Sequence, residues 1–155
     1  MTVTVLFVCM GNICRSPLAE AALRAEAERA GVDVEVDSAG TGGWHAGEPP
    51  DRRARAVATR HGVDISSLRA RQVRREDFRR FDHIIALDRE NFVGLEAIRP
   101  EDASARLSLL LDHVAGREGE AGADPYYGGE AQFEATWRDV SEAARALVRK
   151  IGAAS

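Results

Sequence analysis

The chain has 155 residues, of which 45% are hydrophobic, and a formal net charge of −4. This size and composition suit one compact domain, residues 1–155, whose core is large enough to fold without disulfides or a structural metal. The negative charge argues against a nucleic-acid-binding surface, and no stretch approaches the roughly 20 apolar residues of a membrane span. Two cysteines and no signal-peptide pattern favour free thiols in a reducing, cytoplasmic setting.

The first predicted element is a buried strand at residues 3–8, which is short, uninterrupted and rich in β-branched side chains. A helix is expected directly after it, because Ser16 can cap a first turn and Pro17 suits the first helical position. In the turn between them, backbone N–H groups can converge on an anion, and Gly11 permits the positive φ of a curled loop. The segment therefore predicts an anion-binding junction between strand and helix.

Strands and helices alternate along the rest of the chain. After a helix at 17–30, periodicity and glycine-rich breaks predict a strand at 32–37, a loop at 38–50, helices at 51–61 and 75–81, a strand at 82–87, a helix at 89–98, a strand at 105–111, a loop at 117–130 and a terminal helix at 131–151. This alternation predicts an α/β fold with a parallel sheet covered on both faces. Ligands bind beyond the carboxyl ends of such strands, where Cys9 is expected to lie.

Cys9 and Arg15 are the candidate catalytic pair. Attack on phosphorus requires a thiolate, and a helix N-terminus with a cationic neighbour can lower the pKa of a cysteine from about 8.5 to about 3.5–7.5. The Ser16 hydroxyl can donate to the sulfur, and Arg15 offers bidentate donors to phosphate oxygens. Every basic residue except Lys150 is an arginine, so the Cys-x5-Arg spacing alone is weak and depends on its context.

A leaving alkoxide or phenoxide needs a proton, for which Asp124 in the sequence Asp-Pro-Tyr-Tyr is the candidate donor. The alternative is an ordinary Asp-Pro turn. Trp44, Tyr126 and Tyr127 can form aromatic walls around a planar substrate, or can serve as packing anchors. The four histidines show no metal-ligand spacing with the cysteines and are interpreted as surface or core residues. No metal and no cofactor is expected.

At these residues the chain resembles the low-molecular-weight protein tyrosine phosphatases, nearly from end to end. The signature Cys-x-Gly-Asn-x-Cys-Arg-Ser-Pro stands at residues 9–17, and Asp-Pro-Tyr-Tyr-Gly stands at residues 124–128. The resemblance implies that Cys9 is the nucleophile and that Arg15 binds the phosphate and the transition state. It implies that Asp124 is the general acid, and later the base for the water that hydrolyses a phosphocysteine. The implied fold is a three-layer sandwich with a four-stranded parallel sheet in the order 2-1-3-4.

The resemblance also implies supporting roles. Asn12 and Ser38 match a pair that holds the phosphate loop in its curled form, and Asp88 falls in an Asp-x-x-Asn stretch with a structural role. Besides Cys9 and Arg15, the phosphate-binding loop is expected to comprise Met10, Gly11, Asn12, Ile13, Cys14 and Ser16. The sequence departs from the family at Leu68, where some members carry a histidine near the loop.

Four other functions compete with this one. Arsenate reductases of similar fold need further cysteines, whereas this chain has only Cys9 and Cys14. Protein-arginine phosphatases typically carry threonine at the position of Ile13 and lack the tyrosine pair, so Ile13 favours an aryl phosphate. A non-catalytic phosphate-binding module would have no use for Asp124. Redox exchange is expected only as regulation, in which Cys14 traps oxidised Cys9 as a reversible disulfide.

The expected partners are phosphotyrosine-containing proteins, with a bacterial tyrosine kinase as one candidate at the level of the family. Inorganic phosphate is the expected product. The chain is expected to act as a cytoplasmic monomer that binds neither nucleic acid nor membrane.

Overall fold

The structure is a computed structural model that describes residues 2–120, 122 and 124–154, and a four-stranded sheet lies at its centre. The strands are β1 (Val3–Cys9), β2 (Val34–Gly40), β3 (His83–Ala86) and β4 (Arg106–Leu109), in the order β2-β1-β3-β4. Each pairing is parallel: Val3 lies opposite Val34, Val5 opposite His83, and His83 opposite Arg106. The predicted α/β fold and strand order are confirmed.

Helices cover both faces of this sheet. They are α1 (Arg15–Ala30), α2 (Arg52–Arg60), α3 (Asp77–Arg80), α4 (Arg89–Ile98), a 3₁₀ turn (Leu110–His113) and α5 (Glu130–Ala153). Within the described ranges, no helix combines the length and apolar character that crossing a membrane requires.

Side chains of β1 alternate between two hydrophobic cores. Val5 and Phe7 belong to the core that α1, α2 and α5 complete, whereas Leu6 and Val8 belong to the core on the side of α3 and α4. Successive side chains of a strand point to opposite faces, so a strand buried on both faces is apolar throughout. This double burial explains the continuous apolar run in the sequence and produces the predicted three layers.

Several predicted boundaries are wrong. β2 runs over Val34–Gly40 rather than 32–37, so Ser38 lies in a strand instead of a loop, because its pairing with β1 continues as far as Cys9 opposite Gly40. The strand predicted at 105–111 ends at Leu109, where a 3₁₀ turn begins, and the helix predicted at 75–81 is one turn, Asp77–Arg80. The predicted loop at 117–130 includes residues 121 and 123, which lie outside the described residues, and α5 already begins at Glu130.

The start of α1 also differs from the prediction. The helix begins at Arg15, Cys14 occupies the cap position, and the cap makes no side-chain hydrogen bond. Ser16 is therefore not a cap, and its hydroxyl is directed to Cys9 and Asn12 instead. Pro17 becomes the third helical residue, which costs no hydrogen bond because the first four N–H groups of a helix lack intrahelical acceptors.

Candidate active site

A cavity of about 200 Å³ lies at the carboxyl end of β1. The residues that line it are Cys9, Met10, Gly11, Ile13, Cys14, Arg15, Trp44, His45, Asp124, Tyr126 and Tyr127. Of the predicted site residues, Asn12, Ser16 and Ser38 are absent from this wall, and all three are buried beside it. The cavity therefore gathers the predicted nucleophile, cation, acid and aromatic side chains at the edge where α/β sheets bind ligands.

The sulfur of Cys9 has a hydroxyl partner. Cys9 Sγ lies 3.0 Å from Ser16 Oγ, and Ser16 Oγ accepts a hydrogen bond from Asn12 Nδ2 at 2.8 Å. The Ser16 hydroxyl proton has two acceptors within reach, the Cys9 sulfur at 3.0 Å and the Ala39 carbonyl at 3.5 Å, and a Cys9 thiolate can only accept it. A hydroxyl proton aimed at sulfur stabilises a thiolate, which is the reactive form of cysteine.

Asn12 fixes the curve of the loop. It has a φ of 57°, whereas Gly11, the residue predicted to supply positive φ, does not have one. Asparagine tolerates this left-handed conformation because its side chain can form local hydrogen bonds. Its amide donates to Ser16 and, at 3.0 Å, to Ser38, and its oxygen accepts from the Arg71 N–H at 3.0 Å. Asn12 is thus held in this conformation by Ser16 in the next turn of the chain and by two distant residues, Ser38 and Arg71.

The hydrogen-bonded chain continues to a buried carboxylate. Ser38 Oγ donates to Glu20 Oε1 at 2.7 Å, and Arg24 Nη2 donates to Glu20 Oε2 at 2.7 Å. Glu20 was not predicted as a supporting residue. Leu68, at the position where some relatives carry a histidine, packs against the larger hydrophobic core. Arg24, one turn along α1, supplies the cation that balances Glu20 in this chain.

A close backbone approach supports the loop from the side of β2. A Cβ atom on Gly40 would lie 2.8 Å from the carbonyl oxygen of Met10 and 3.2 Å from the backbone nitrogen of Asn12. The N–H of Thr41 donates to the carbonyl of Cys9 at 2.9 Å, and that of Gly42 donates to the carbonyl of Met10 at 3.0 Å. Only glycine allows the end of β2 to approach the loop this closely.

Arg15 lies between two carboxylates. Its Nη2 is 2.9 Å from Asp88 Oδ2 and 3.6 Å from Asp124 Oδ2, and its side chain is almost fully buried. Its Nη1 is also buried and has no hydrogen-bond partner among the described residues. Asp88 additionally caps α4, because its Oδ1 accepts from the N–H of Asn91 at 2.8 Å. Asp88 therefore orients Arg15 as well as having the predicted structural role.

Arg53, a residue of α2, connects this helix to the segment in which Asp124 lies. Arg53 Nη1 donates to the carbonyl of Gly128 at 2.9 Å, and its Cζ lies 5.7 Å from the centre of the Tyr126 ring. Its other nitrogens contact Asp51, whose backbone N–H donates to the carbonyl of Ile13 at 2.8 Å. Hydrogen bonds to Arg53 lower the pKa of Asp51, so this pair remains ionised. A continuous set of contacts thus joins the phosphate loop to the acid segment.

The two cysteines have different surroundings. Burial raises the pKa of the Cys14 thiol far above its usual range, and the negative charge of Asp51 adds to this effect. Cys14 is therefore a neutral thiol at physiological pH. Cys9, with its hydroxyl donor from Ser16, is the cysteine suited to act as a nucleophile.

Exposed aromatic side chains surround the mouth of the cavity. Trp44 is 72% exposed and Tyr127 is 96% exposed, so neither is a packing anchor. Tyr126 meets Tyr127 edge to face, with 4.9 Å between the ring centres. His45 also lies here, against Gly11, although the sequence indicated only a surface or core role for histidines. A planar ring can bind between these side chains.

The side chains in this cavity suit the displacement of a group from phosphorus by sulfur. Among the residues that the structure describes, no group of three or more His, Cys, Asp or Glu side chains could hold a metal ion. The cavity instead supplies a sulfur nucleophile, a buried guanidinium with free donors, and a carboxyl 45% exposed at its mouth. Asp124 Oδ1 accepts from the N–H of Tyr126 at 3.1 Å, which directs the carboxyl group toward Arg15.

Known proteins share both this sequence and this fold. Residues 4–155 match the family described as low molecular weight phosphotyrosine protein phosphatase. A low molecular weight protein-tyrosine-phosphatase of Streptomyces coelicolor is 44% identical over 157 aligned residues, which cover 97% of this chain and 94% of that protein. The structure of a protein tyrosine phosphatase from Entamoeba histolytica is 34% identical and covers 98% of both chains, with a TM-score of 0.92. A Drosophila arginine phosphatase is 32% identical, with a TM-score of 0.88 over 94% of this chain and 96% of that one.

Proposed function

Because the chain belongs to the low-molecular-weight phosphotyrosine protein phosphatase family and is a cysteine-dependent protein tyrosine phosphatase, we propose that Cys9, Arg15 and Asp124 perform the reaction through a phosphocysteine. The observation that carries this proposal is the position of the Cys9 sulfur, which shares one cavity with Arg15 and Asp124 and lies 3.0 Å from the Ser16 hydroxyl. The catalytic unit is a single domain of residues 1–155.

In the first step, the Cys9 thiolate forms a bond to phosphorus while the bond from phosphorus to the tyrosine oxygen breaks. Arg15 donates from Nη1 and Nη2 to the phosphoryl oxygens, where charge grows in the transition state. The first N–H groups of α1, which lack intrahelical acceptors, can add further donors because the helix begins at Arg15. Asp124 transfers its proton to the departing phenoxide, which leaves as neutral tyrosine.

In the second step, water attacks the phosphocysteine and the sulfur–phosphorus bond breaks. Asp124, now a carboxylate, removes a proton from the water, and inorganic phosphate leaves. The Cys9 thiolate is regenerated, and the Ser16 hydroxyl stabilises it. Asn12, Ser38 and Glu20 keep that hydroxyl in place through their hydrogen bonds.

The depth of the cavity supports selection of phosphotyrosine. Cys9 is only 3% exposed, whereas the aromatic side chains at the rim are largely exposed. A phosphate on a planar ring reaches the sulfur while its ring contacts Trp44 and Tyr126, and the shorter phosphoserine side chain cannot make both contacts. Ile13 adds an apolar wall beside the ring.

We expect hydrolysis of a phosphotyrosine peptide to exceed that of matched phosphoserine and phosphoarginine peptides by about 10²-fold or more in kcat/KM, because a missing ring contact and a misplaced phosphate both weaken transition-state binding. Phosphate release from three peptides of identical flanking sequence measures these rates. Arginine phosphatase activity is the second candidate, because a neighbour of that activity shares the fold. Faster release from phosphoarginine would establish it and refute tyrosine selection.

The pair Cys9 and Cys14 supports a regulatory role in oxidation. Both thiols are free and line the same cavity. Peroxide converts the Cys9 thiol to a sulfenic acid with release of water, and the Cys14 sulfur then displaces a second water to form a disulfide. The product cannot attack phosphorus until a thiol reductant restores both cysteines.

Because burial raises the pKa of Cys14, only its thiolate fraction traps the sulfenic acid, and that fraction grows with pH. The thiolate fraction rises about tenfold per pH unit below the pKa, so we expect the trapping step to be about 100-fold faster at about pH 9 than at about pH 7. Intact mass after mild peroxide treatment should show loss of two hydrogens and full recovery with a reductant. In Cys14→Ser, Cys9 should proceed to irreversible oxidation. Equal protection of Cys9 in that variant would refute the role of Cys14.

We further propose that the enzyme acts as a cytoplasmic monomer on phosphotyrosine-containing proteins, among them a bacterial tyrosine kinase. The buried free thiols support a reducing compartment. The open, aromatic mouth supports substrates presented on protein surfaces.

A further inference from the structure

A second cavity lies beside the edge strand β4 and the carboxyl end of α5, and it shares no lining residue with the cavity at Cys9. Its volume is about 680 Å³, and it is lined by Val3, His83, Arg99, Arg106, Leu107, Ser108, His113, Leu147, Lys150, Ile151 and Ala154. Val3 begins β1 and Cys9 ends it. At about 3.3 Å per strand residue, Val3 is about 20 Å from Cys9 along β1, whereas Ser108, which is opposite Ile85 and so level with Phe7, lies nearer to Cys9. Because the two cavities share no lining residue, the second takes no part in the phosphatase site.

The charged side chains among the described residues that line this cavity are all cationic. Arg99, Arg106 and Lys150 line it, and none of its described lining residues is an aspartate or glutamate. Among the described residues, none of these three cations forms an ion pair with a carboxylate. Asp82 and Asp112 each adjoin a lining histidine in the sequence, His83 and His113, but neither carboxylate lines the cavity. A cationic surface of this kind is unexpected in a chain with a net charge of −4.

Lys150, His113 and Ser108 form a hydrogen-bonded set along the wall of this cavity. Lys150 Nζ lies 3.0 Å from His113 Nδ1, and His113 Nε2 lies 2.8 Å from Ser108 Oγ. An ammonium can only donate, so His113 Nδ1 is the acceptor and its proton is on Nε2. Burial, together with Lys150, lowers the pKa of His113 to about 4, which keeps this ring neutral. Nε2–H then donates to Ser108, whose own hydroxyl proton is free for a ligand.

Apolar side chains complete the cavity. Val3, Leu107 and Leu147 line it beside the donors, so it combines an apolar surface with ammonium, guanidinium and hydroxyl groups. A ligand that matches this surface carries acceptor oxygens and negative charge at one end and an apolar body at the other.

We propose that this cavity binds a small organic anion with an apolar body, which Lys150, Arg106 and Ser108 hold by its anionic group. The site is distinct from the phosphatase site, because its ligand requires no phosphate ester and none of its residues lines the cavity at Cys9.

Naphthalene-2-carboxylate is a suitable probe, because it has this chemistry and contains no phosphate to hydrolyse. We expect its titration into vanadate-saturated protein to give saturable NMR shifts of the Ser108 and Lys150 amides and of the His113 ring. Naphthalen-2-ol, with the same body and no carboxylate, should bind at least about tenfold more weakly, since hydrogen bonds to charged groups are lost. Naphthol binding as tightly as naphthoate, or naphthoate shifts confined to residues 9–16, would overturn the proposal.

Lys150→Met should weaken naphthoate binding about tenfold or more, and Arg106→Met and Ser108→Ala should weaken it in the same direction. Arg149→Met is the matched control, because it removes the same charge from the residue that precedes Lys150 in α5. Arg149 is exposed and does not line the cavity. The control should change affinity less than about twofold. Equal affinity of Lys150→Met and Arg149→Met would show that net charge alone attracts the probe, and would refute a specific site.

Discussion

We expect Cys9→Ser to abolish turnover of aryl phosphates, with a loss of about 10⁴-fold or more in kcat. A serine hydroxyl in this position lacks the readily ionised sulfur that attacks phosphorus, and no described carboxylate or imidazole is hydrogen-bonded to residue 9 to act as its base. Binding of inorganic phosphate should persist, because Arg15 and the loop N–H groups remain. Steady-state kinetics with an aryl phosphate and calorimetry with phosphate measure the two effects separately.

Cys14→Ser is the matched control for this experiment. It makes the same atomic change five residues further along the same loop, in a thiol that burial keeps neutral. Under reducing conditions its kcat should fall by no more than about tenfold. Substantial turnover by Cys9→Ser, or equal losses in the two variants, would contradict the assignment of Cys9 as the nucleophile.

We expect Asp124→Asn to lower kcat by about 10²–10⁴-fold on phenyl phosphate, whose leaving group needs a proton. On 2,4-dinitrophenyl phosphate, whose phenolate leaves without protonation, we expect the first step to be nearly unaffected. An amide occupies the space of the carboxyl group but cannot transfer a proton in this role. Burst-phase kinetics with both substrates measure the first step directly.

Asp88→Asn separates proton transfer from the placement of Arg15. Asp88 lies 2.9 Å from Arg15, closer than Asp124 at 3.6 Å, but does not line the cavity. Its loss should slow both substrates by similar factors, because it disturbs phosphate binding rather than the leaving group. If Asp124→Asn also slowed both substrates equally, Asp124 would be a positioning residue and not the acid.

Local patterns in the sequence predicted much of the site. The signature occupies one unbroken segment, residues 9–17, so a single turn between a strand and a helix brings Cys9 and Arg15 together. The apolar run of β1 and the helical periodicity of α5 are likewise local, and they indicated the α/β fold. Of the two roles predicted for Ser16, the contact of its hydroxyl with the Cys9 sulfur is present, whereas the helix cap is wrong because α1 begins one residue before Ser16, at Arg15.

Other features depend on contacts between distant segments. Arg53 and Gly128 are 75 positions apart, and Asn12 and Ser38 are 26 positions apart. Neither the pairing of Arg15 with Asp88 nor the place of His45 in the cavity has a local signal, since each requires the turns after two different strands to meet at one edge of the sheet.

The sequence by itself determined the class of fold and predicted the reacting groups, because side-chain periodicity records which faces are buried and the signature is contiguous. Three features were decided only by the tertiary structure. They are the left-handed conformation of Asn12, the position of Arg15 between two carboxylates, and the donor groups that line the second cavity together. Hydrogen bonds and ion pairs act over about 3 Å, and nothing in the order of residues alone specifies which side chains from separate elements approach that closely.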